Sequence, residues 1–273
     1  SSGTATYMTN AGEQVSQGFT ASVSYYVFQN FEKRFSWMVR ANVRTQKNRI
    51  DKIGNKLSTL NSSGKGSNTV RYYDGADPDD IWAVKSAGID PSNGKELFYA
   101  KDGSYTYDFS YDDEVICGNT RPDVEGVIGS SLNWKGFSVS LNFRYQMGAD
   151  VFNEALYNKV ENISKNDLNK NQDRRALYER WQEVGDIVHF KDIASAETTP
   201  MSSRFVQEEN VLTLESIYVG YEFYDGWIKK LGLSSLKIQA SMRDVFRAST
   251  IRSERGIAYP FARSMEAGLS FNF

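Results

Sequence analysis

Hydrophobic and polar side chains alternate strictly over residues 137–147, which read FSVSLNFRYQM. Every second residue from Phe137 to Met147 is large and apolar, and the residues between them are polar. A period of two over this length predicts a β-strand with one apolar and one polar face. Strands of soluble sheets usually have about five or six residues, whereas a tilted strand needs roughly nine to eleven to cross a bilayer. The length favours a membrane strand with its apolar face on lipid and its polar face on a lumen.

Other segments of the chain have the same alternation and are also predicted to be strands. They cover residues 18–28, 35–46, 127–134, 211–223, 236–246 and 264–273, and residues 4–9 are a candidate for the end of one more. In the last segment, Met265, Ala267, Leu269, Phe271 and Phe273 share the apolar face.

Short and long connections alternate between these segments. The connections after residues 28, 134 and 223 are short, and those after residues 46, 147 and 246 are long. Compact soluble domains seldom contain loops of that length, but outer-membrane barrels combine short periplasmic turns with long extracellular loops. The fold class predicted is therefore all-β, a transmembrane antiparallel β-barrel, with residues 47–121 and 148–210 outside the cell.

Short helices are predicted inside the second long loop. Residues 148–162 and 171–181 place Asn or Asp ahead of runs with apolar residues three and four positions apart.

Aromatic residues concentrate at both ends of the predicted strands. Tyr145, Tyr259 and Phe261 lie near the long-loop end, and a larger set lies near the short turns: Phe28, Phe31, Trp134, Tyr224, Trp227 and Phe273. Two aromatic belts are typical of a protein that crosses a bilayer.

Composition bounds the function without identifying it. The chain has 273 residues, of which 40% are hydrophobic and 14% aromatic, enough for a large folded structure and compatible with one domain. Its 32 Lys and Arg against 34 Asp and Glu give no electrostatic reason to expect nucleic-acid binding. The chain lacks an apolar run of about eighteen residues, which excludes a spanning helix and leaves a barrel open. The lone Cys117 cannot form an intrachain disulfide and is expected to be an inert thiol.

Catalytic and metal-binding motifs are absent from the sequence. The single histidine, His189, has no nucleophile motif beside it, so an enzyme is not expected. Asp167, Asn169, Asn171 and Asp173 have the oxygen spacing of a calcium loop, but the glycine and the final glutamate that such a loop requires are missing. We therefore expect neither a metal site nor a cofactor.

Six phrases of the chain, in this order, resemble one known family. They are IWAVKSAGIDPSNGKELFYAKDG (81–103), SLNWKGFSVSLNFRYQMGADVFN (131–153), RWQEVGDI (180–187), SRFVQEENVLTLESIYVGYEF (203–223), GWIKKLGLSSLKIQASMRDVF (226–246) and YPFARSMEAGLSFNF (259–273). Together they resemble the C-terminal region of SusC/RagA-type TonB-dependent outer-membrane transporters. The resemblance extends over nearly the whole chain.

That resemblance implies a fold, a function and partners. Members of the family are barrels of about 22 strands, closed by an N-terminal plug. They import a glycan, oligosaccharide or peptide across the bacterial outer membrane with energy transmitted by TonB. A SusD-like lipoprotein lies on their extracellular loops as a lid. Residues 1–273 would be the C-terminal part of such a barrel, and the plug, the TonB contact and the remaining strands would be absent from this chain.

Two other functions remain open from the residues alone. A passive outer-membrane porin has the same strand pattern but needs no plug, so the sequence upstream of residue 1 distinguishes it. A secreted all-β binding protein would be extracted without detergent.

Candidate substrate-binding residues lie on the polar faces of the predicted strands and in the first long loop. They are Arg44, Trp82, Arg144, Gln146 and Arg243. Further aromatic residues of that loop could pack loop on loop, contact a partner or stack on sugar rings, and the first is favoured: Tyr72, Tyr73, Phe98, Tyr99, Tyr105 and Tyr107.

The last two strands are predicted to pair with Leu236 opposite Phe273. This register places Arg243 across from Glu266, both on the polar face, where an opposite-charge pair contributes roughly 0.2 to 1 kcal/mol. A register that slips by two residues is the alternative.

Overall fold

The computed structural model describes residues 10, 12–164, 166, 169–195, 197–224, 226–252 and 263–273. The candidate strand at residues 4–9, and Tyr259 and Phe261 of the predicted belt, lie outside these residues. The chain divides into two compact units. The sheet unit comprises Gly18–Gln46, Pro122–Gly148 and Glu209–Phe273, and the loop unit comprises Ser1–Gln17, Lys47–Arg121 and Ala149–Glu208.

The strands of the described residues are numbered in chain order. They are β1 (Glu13–Asn30), β2 (Phe35–Asp51), β3 (Asp80–Val84), β4 (Ser86–Ile89), β5 (Glu96–Tyr99), β6 (Tyr105–Thr106), β7 (Glu114–Asn119), β8 (Val124–Trp134), β9 (Phe137–Phe152), β10 (Val206–Phe223), β11 (Ser235–Ser249) and β12 (Ser264–Asn272). Seven of them form one sheet in the order β1-β2-β8-β9-β10-β11-β12. The pairs with a determined register in this sheet are antiparallel.

The seven predicted strands are confirmed, but most are longer than predicted. Six of them continue past the predicted bounds at the long-loop end, where β1 begins at Glu13 and β2 ends at Asp51. Residues 148–152, predicted to begin a helix, are the end of β9. At about 3.3 Å per residue, strands of this length exceed the roughly 30 Å hydrocarbon core. Backbone pairing continues there without the apolar alternation that lipid requires, so the pattern underestimates the length.

Register aligns the apolar side chains of neighbouring strands on one face of the sheet. Ala41 of β2 lies opposite Ile128 of β8, which lies opposite Phe143 of β9. Large apolar side chains are exposed on this sheet: Phe19, Val23, Tyr25, Trp37, Ile128, Phe137, Val219, Tyr221, Ile238, Met265, Leu269 and Phe271. So extensive an exposed apolar face is typical of a surface that contacts lipid.

The predicted aromatic belt at the short turns is exposed as well. Phe31 is 82% exposed and Phe273 is 92% exposed, and Trp134 and Trp227 are half exposed. The Phe28 and Phe35 rings meet edge to face across the first turn, with centroids 5.3 Å apart. Rings of this kind suit the boundary between hydrocarbon and water.

The three short connections lie at one end of the sheet, and the first two are tight turns. β8 and β9 are joined by Lys135 and Gly136 alone, with φ of 47° and 92°. Positive φ at both positions is what a two-residue hairpin requires. A Cβ at Gly136 would collide with the carbonyl oxygen of Glu222, so glycine is needed there for space as well as for conformation. The third connection, between β10 and β11, is longer and contains a short helix at Trp227–Lys230.

The predicted register of the last two strands is wrong by two residues. Leu236 lies opposite Phe271, so Arg243 faces Ser264 and Glu266 faces Ser241. The alternation cannot separate these registers, because a slip of two keeps every side chain on its own face. Ser234 N donates to Asn272 O over 2.7 Å at the short-turn end. Asn272 Nδ2 also donates to Ser235 Oγ over 2.8 Å, which fixes this register.

The loop unit contains small sheets and short helices. β3 pairs with β7, and β4, β5 and β6 form a second small sheet. The helix α1 spans Ser58–Gly64 and α2 spans Arg175–Tyr178, much shorter than the helix predicted over residues 171–181. A π-helical turn occupies Leu156–Glu161. The hydrophobic core of the loop unit consists of Leu156, Val160, Ala176, Phe190 and Phe205. Within the part of the chain that the structure describes, no helix has the length and apolar character needed to cross a membrane.

Candidate functional site

A row of hydrogen-bonded polar side chains crosses the sheet unit. Arg40 Nη2 donates to Asn142 Oδ1 over 2.9 Å, and Asn142 Nδ2 donates to Ser216 Oγ over 2.9 Å. Ser216 lies opposite Arg243 in the register of β10 and β11. The predicted candidate Arg243 therefore continues a polar row that begins on β2, three strands before β10 in the sheet.

A second row of polar side chains contains the candidates Arg44 and Gln146, with Glu125 between them. Arg44 Nη1 lies 3.7 Å from Glu125 Oε1, and Arg44 also donates to Gln46. Glu125 lies opposite Gln146 in the register of β8 and β9. Since Arg44 and Glu125 are partly exposed, their ion pair contributes little to stability. Both side chains can exchange this partner for a polar ligand at small cost.

Arg144 is held by a bulge in the neighbouring strand. Its Nε lies 2.5 Å from Glu215 Oε1, next to the bond between Asn142 and Ser216. The register of β10 and β11 shifts between Leu214 and Ser216. Glu215 and Ser216 are adjacent in β10, yet they bond to Arg144 and Asn142, which are two positions apart in β9. Bulges re-aim side chains in this way, and no alternation pattern in the sequence reveals them.

Trp82 lies in the loop unit, whereas the other four candidates lie in the sheet unit. Its ring packs against Tyr73 with centroids 5.1 Å apart. Its indole Nε1 is buried without a hydrogen-bond partner. Trp82 is therefore a packing residue of strand β3 in this structure.

Other loop aromatics also pack on one another, which confirms the favoured interpretation for them. Phe98 meets Phe109 at 5.3 Å and Tyr99 meets Tyr105 at 4.9 Å between ring centroids. Tyr107 is 47% exposed and makes no such ring pair among the described residues.

A buried ionic cluster in the loop unit was not predicted. Arg204 Nη2 lies 2.8 Å from Glu96 Oε2 and 2.7 Å from Glu161 Oε1, and the three side chains are each at most 8% exposed. Ser202 Oγ donates to Glu96 Oε1 and Thr199 Oγ1 donates to Glu161 Oε1. Burial alone would lower the pKa of Arg204, but the two carboxylates outweigh it and raise the pKa. The guanidinium is thus permanently charged and joins three chain segments.

The remaining reactive groups show no catalytic or metal-binding arrangement. Burial raises the pKa of the Cys117 thiol, whose Sγ donates to Ala83 O, as expected of an inert thiol. Asp173 of the calcium-like spacing is bound by Arg175 at 2.5 Å, while Asp167 lies outside the described residues. The described residues contain no group of three His, Cys, Asp or Glu placed to hold a metal ion.

Known proteins similar to this chain are TonB-dependent receptors. No family model matches the chain. TonB-dependent receptor P39 of Formosa agariphila is 26% identical over 171 residues, which cover 61% of this chain and 16% of that protein. TonB-dependent receptor P3 of the same organism is 22% identical over 261 residues, which cover 88% of this chain and 25% of that protein. The chain thus spans a quarter or less of these relatives.

Solved structures with the same fold are those of a peptide transporter. The RagAB peptide transporter superposes with a TM-score of 0.77 at 20% identity, covering 96% of this chain and 30% of that one. The open-open state of the RagAB peptide importer gives a TM-score of 0.75 at 19% identity, with 96% and 29% covered. The antiparallel sheet, its loops and these relatives confirm the resemblance drawn from the sequence: the chain is similar to the barrel portion of SusC/RagA-type TonB-dependent receptors of the bacterial outer membrane.

Proposed function

We propose that residues 1–273 are the C-terminal part of an outer-membrane barrel of about 22 strands that performs TonB-dependent active import of a nutrient. The plug, the TonB contact and the remaining strands belong, on this proposal, to the rest of a longer protein. The observation that carries it is a sheet of strands with an exposed apolar face and an arginine-bearing polar face.

The edges of the sheet support the proposal of a larger barrel. β1 and β12 are its outermost strands among the described residues. Unpaired N–H and C=O groups cannot remain in hydrocarbon, where no water satisfies them. Both strands therefore need neighbours before the apolar face can contact lipid.

The polar face supports a role in substrate passage. On this proposal Arg44, Arg144, Gln146 and Arg243 face the lumen, and Trp82 belongs to an extracellular loop. Arginine side chains in weak, half-exposed ion pairs can contact the hydroxyls of an oligosaccharide or the carboxylates of an oligopeptide. A SusD-like lipoprotein is the partner proposed for the loops, in keeping with the likeness of the fold to RagAB.

Uptake measurements on the full-length parent protein in its own outer membrane test the proposal. Uptake of radiolabelled oligosaccharide and oligopeptide mixtures is compared in cells with and without TonB. Import of one class that disappears without TonB supports the proposal. Import that is unchanged by TonB loss overturns it in favour of a passive porin.

Lumen residues are tested in the same cells. Arg144→Gln and Arg243→Gln should lower uptake while the amount of folded barrel stays constant. Lys33→Gln, in the turn between β1 and β2, is the matched control and should leave uptake unchanged. Equal uptake in all three variants would remove the assigned lumen role.

A further inference from the structure

The short-turn end of the sheet unit is rich in cationic side chains. Residues 31–34, 135–136 and 222–237 contain Lys33, Arg34, Lys135, Lys229, Lys230 and Lys237 against Glu32, Glu222 and Asp225. The whole chain has a formal net charge of -2, so this end differs in sign from the rest of the chain. A surface with a local excess of positive charge attracts anions.

A cleft of about 380 Å³ lies at this end, where the first two turns meet the end of β10. Its charged lining consists of Glu32, Lys33, Arg34, Lys135 and Glu222. Glu32 adjoins Lys33 in the first turn, and Glu222 lies opposite Lys237 of β11. Arg34 and Lys135 are therefore the cations of the lining without an adjoining acid to balance them. Neither forms an ion pair with another described residue.

Main-chain hydrogen bonds hold the walls of this cleft together. Lys135 N donates to Arg34 O over 3.0 Å, which joins the second turn to the first. Glu222 N donates to Gly136 O over 2.9 Å, which joins the end of β10 to the second turn. The backbones that carry the two cations are thus fixed side by side, so a ligand that contacts both need not reorganise them.

Both cations occupy turn positions that the backbone does not favour for a long side chain. Arg34 has a φ of 49° and Lys135 has a φ of 47°. Positive φ is uncommon for residues other than glycine, and asparagine is among those that adopt it most readily. Hairpin turns therefore favour Asn or Gly at such positions. The presence of charged residues where turn geometry alone would select neither indicates, independently of the cleft, that these side chains have a use.

Aromatic rings hold both cations near the membrane boundary. Arg34 Cζ lies 5.0 Å from the centre of the Tyr224 ring, within the range of a cation–π interaction. Lys135 Nζ lies 5.8 Å from the centre of the Trp134 ring. Trp134 belongs to the exposed aromatic belt, which marks the level where lipid headgroups lie.

The cleft is continuous with the exposed apolar face of the sheet. Tyr221 lines the cleft and is itself exposed. Its ring packs on Phe223 with centroids 4.6 Å apart, and the exposed Val219 follows on the same face of β10. A ligand with a charged head and apolar chains can therefore contact the cations and the apolar face at once.

We propose that this cleft binds the anionic headgroup of a phospholipid, with Arg34 and Lys135 bound to its phosphate and its acyl chains on the apolar face beside Tyr221. Guanidinium and ammonium groups form charge-assisted hydrogen bonds with phosphate, and basic pockets next to membrane-spanning segments bind lipid headgroups. The orientation expected from the loop lengths places this lipid in the periplasmic leaflet. The site requires a barrel that lies in a bilayer and is independent of the import proposed above.

Lipid binding by the full-length parent protein in a neutral detergent tests this, with bound lipid measured by native mass spectrometry. The probes are phosphatidylglycerol, phosphatidylcholine, glycerol phosphate and a hexaglutamate peptide. Arg34→Asn and Lys135→Asn remove the charge but suit positive φ, so the heat-modifiable folded barrel should stay constant on gels. Each should weaken binding of phosphatidylglycerol relative to phosphatidylcholine roughly fivefold. Lys230→Gln is the matched control, since it removes a cation of the same end that does not line the cleft.

Each outcome supports or overturns the lipid site. A preference for phosphatidylglycerol that falls in both Asn variants and persists in Lys230→Gln supports it. A preference that both Asn variants leave unchanged, or equal binding of the two lipids by the unaltered protein, overturns it. Glycerol phosphate that binds as tightly as the lipid assigns the cleft to a soluble phosphate instead. Hexaglutamate that displaces the lipid and binds more tightly assigns it to an acidic protein segment, which also overturns the proposal.

Discussion

Burial decides how much each ion pair of this chain contributes to stability. Arg204 is almost fully buried between two carboxylates, whereas Arg44 and Arg144 form half-exposed pairs on the sheet. The sequence indicated the two sheet arginines because the polar positions of a strand alternate. It could not indicate Arg204, whose partner Glu96 is 108 residues away in the chain. Long-range pairs of this kind leave no local pattern.

Removing Arg204 should destabilise the loop unit strongly. Arg204→Ala leaves Glu96 and Glu161 buried and uncompensated, at a cost of about 3 to 5 kcal/mol. Native-state hydrogen exchange of residues 149–208 in the full-length protein measures this. Arg44→Ala, which breaks a half-exposed pair, should cost about 0 to 1 kcal/mol. Equal effects of the two variants would contradict the assigned role of burial.

Lys191 should titrate below an ordinary lysine. Burial lowers its pKa from 10.5, and Arg180 and Arg204 lower it further, against the opposing effect of Glu161 and Glu197. The unfolded chain then binds more protons between the folded pKa and 10.5, so stability should rise with pH across that window. NMR titration of ¹³C-methylated lysines checks this, with Lys191→Arg to assign the resonance. A Lys191 resonance that titrates at 10.5 or above would refute it.

At the scale of elements, alternation located the strands but not their pairing or their full length. It located the seven strands of the large sheet, β1, β2 and β8 to β12, where lipid imposes one apolar face. It failed for the short strands β3 to β7, which pack inside the loop unit and carry no regular period. It also could not distinguish registers that differ by two residues, because each keeps the same faces.

Disulfide cross-linking of the last two strands tests the observed register. Ser241→Cys with Glu266→Cys places two thiols directly opposite, within reach of a disulfide. Arg243→Cys with Glu266→Cys is the pair expected from the rejected register and serves as the control. Oxidation should join the first pair and not the second, in a Cys117→Ser background. The reverse result would restore the register predicted from the sequence.

At the scale of the whole molecule, the lengths of the turns and loops predict an orientation across the membrane. The described short connections all lie at one end of the strands, and the loop unit contains the two long connections that follow β2 and β9. By analogy with other outer-membrane barrels, we expect the short turns to face the periplasm. This orientation could be predicted from loop lengths alone, whereas the ionic cluster that orders the loops could not.

Cysteine labelling of intact cells tests that orientation. A membrane-impermeant maleimide should label Lys170→Cys in the second long loop. Lys33→Cys, in the turn between β1 and β2, should be labelled only after the outer membrane is opened. Labelling of Lys33→Cys alone in intact cells would invert the topology.

The two-residue turn at Lys135 and Gly136 has no room for additional residues. Its positive φ angles and the contact of Gly136 with Glu222 O exclude any insertion that does not rebuild the hairpin. An affinity tag placed there should abolish assembly of the barrel, whereas the same tag near Gly185 of the loop unit, where a Cβ meets open space, should be tolerated. For anyone who engineers this protein as a carrier for displayed peptides, its two sides therefore offer unequal room: the loop side accepts cargo, and the hairpin side does not.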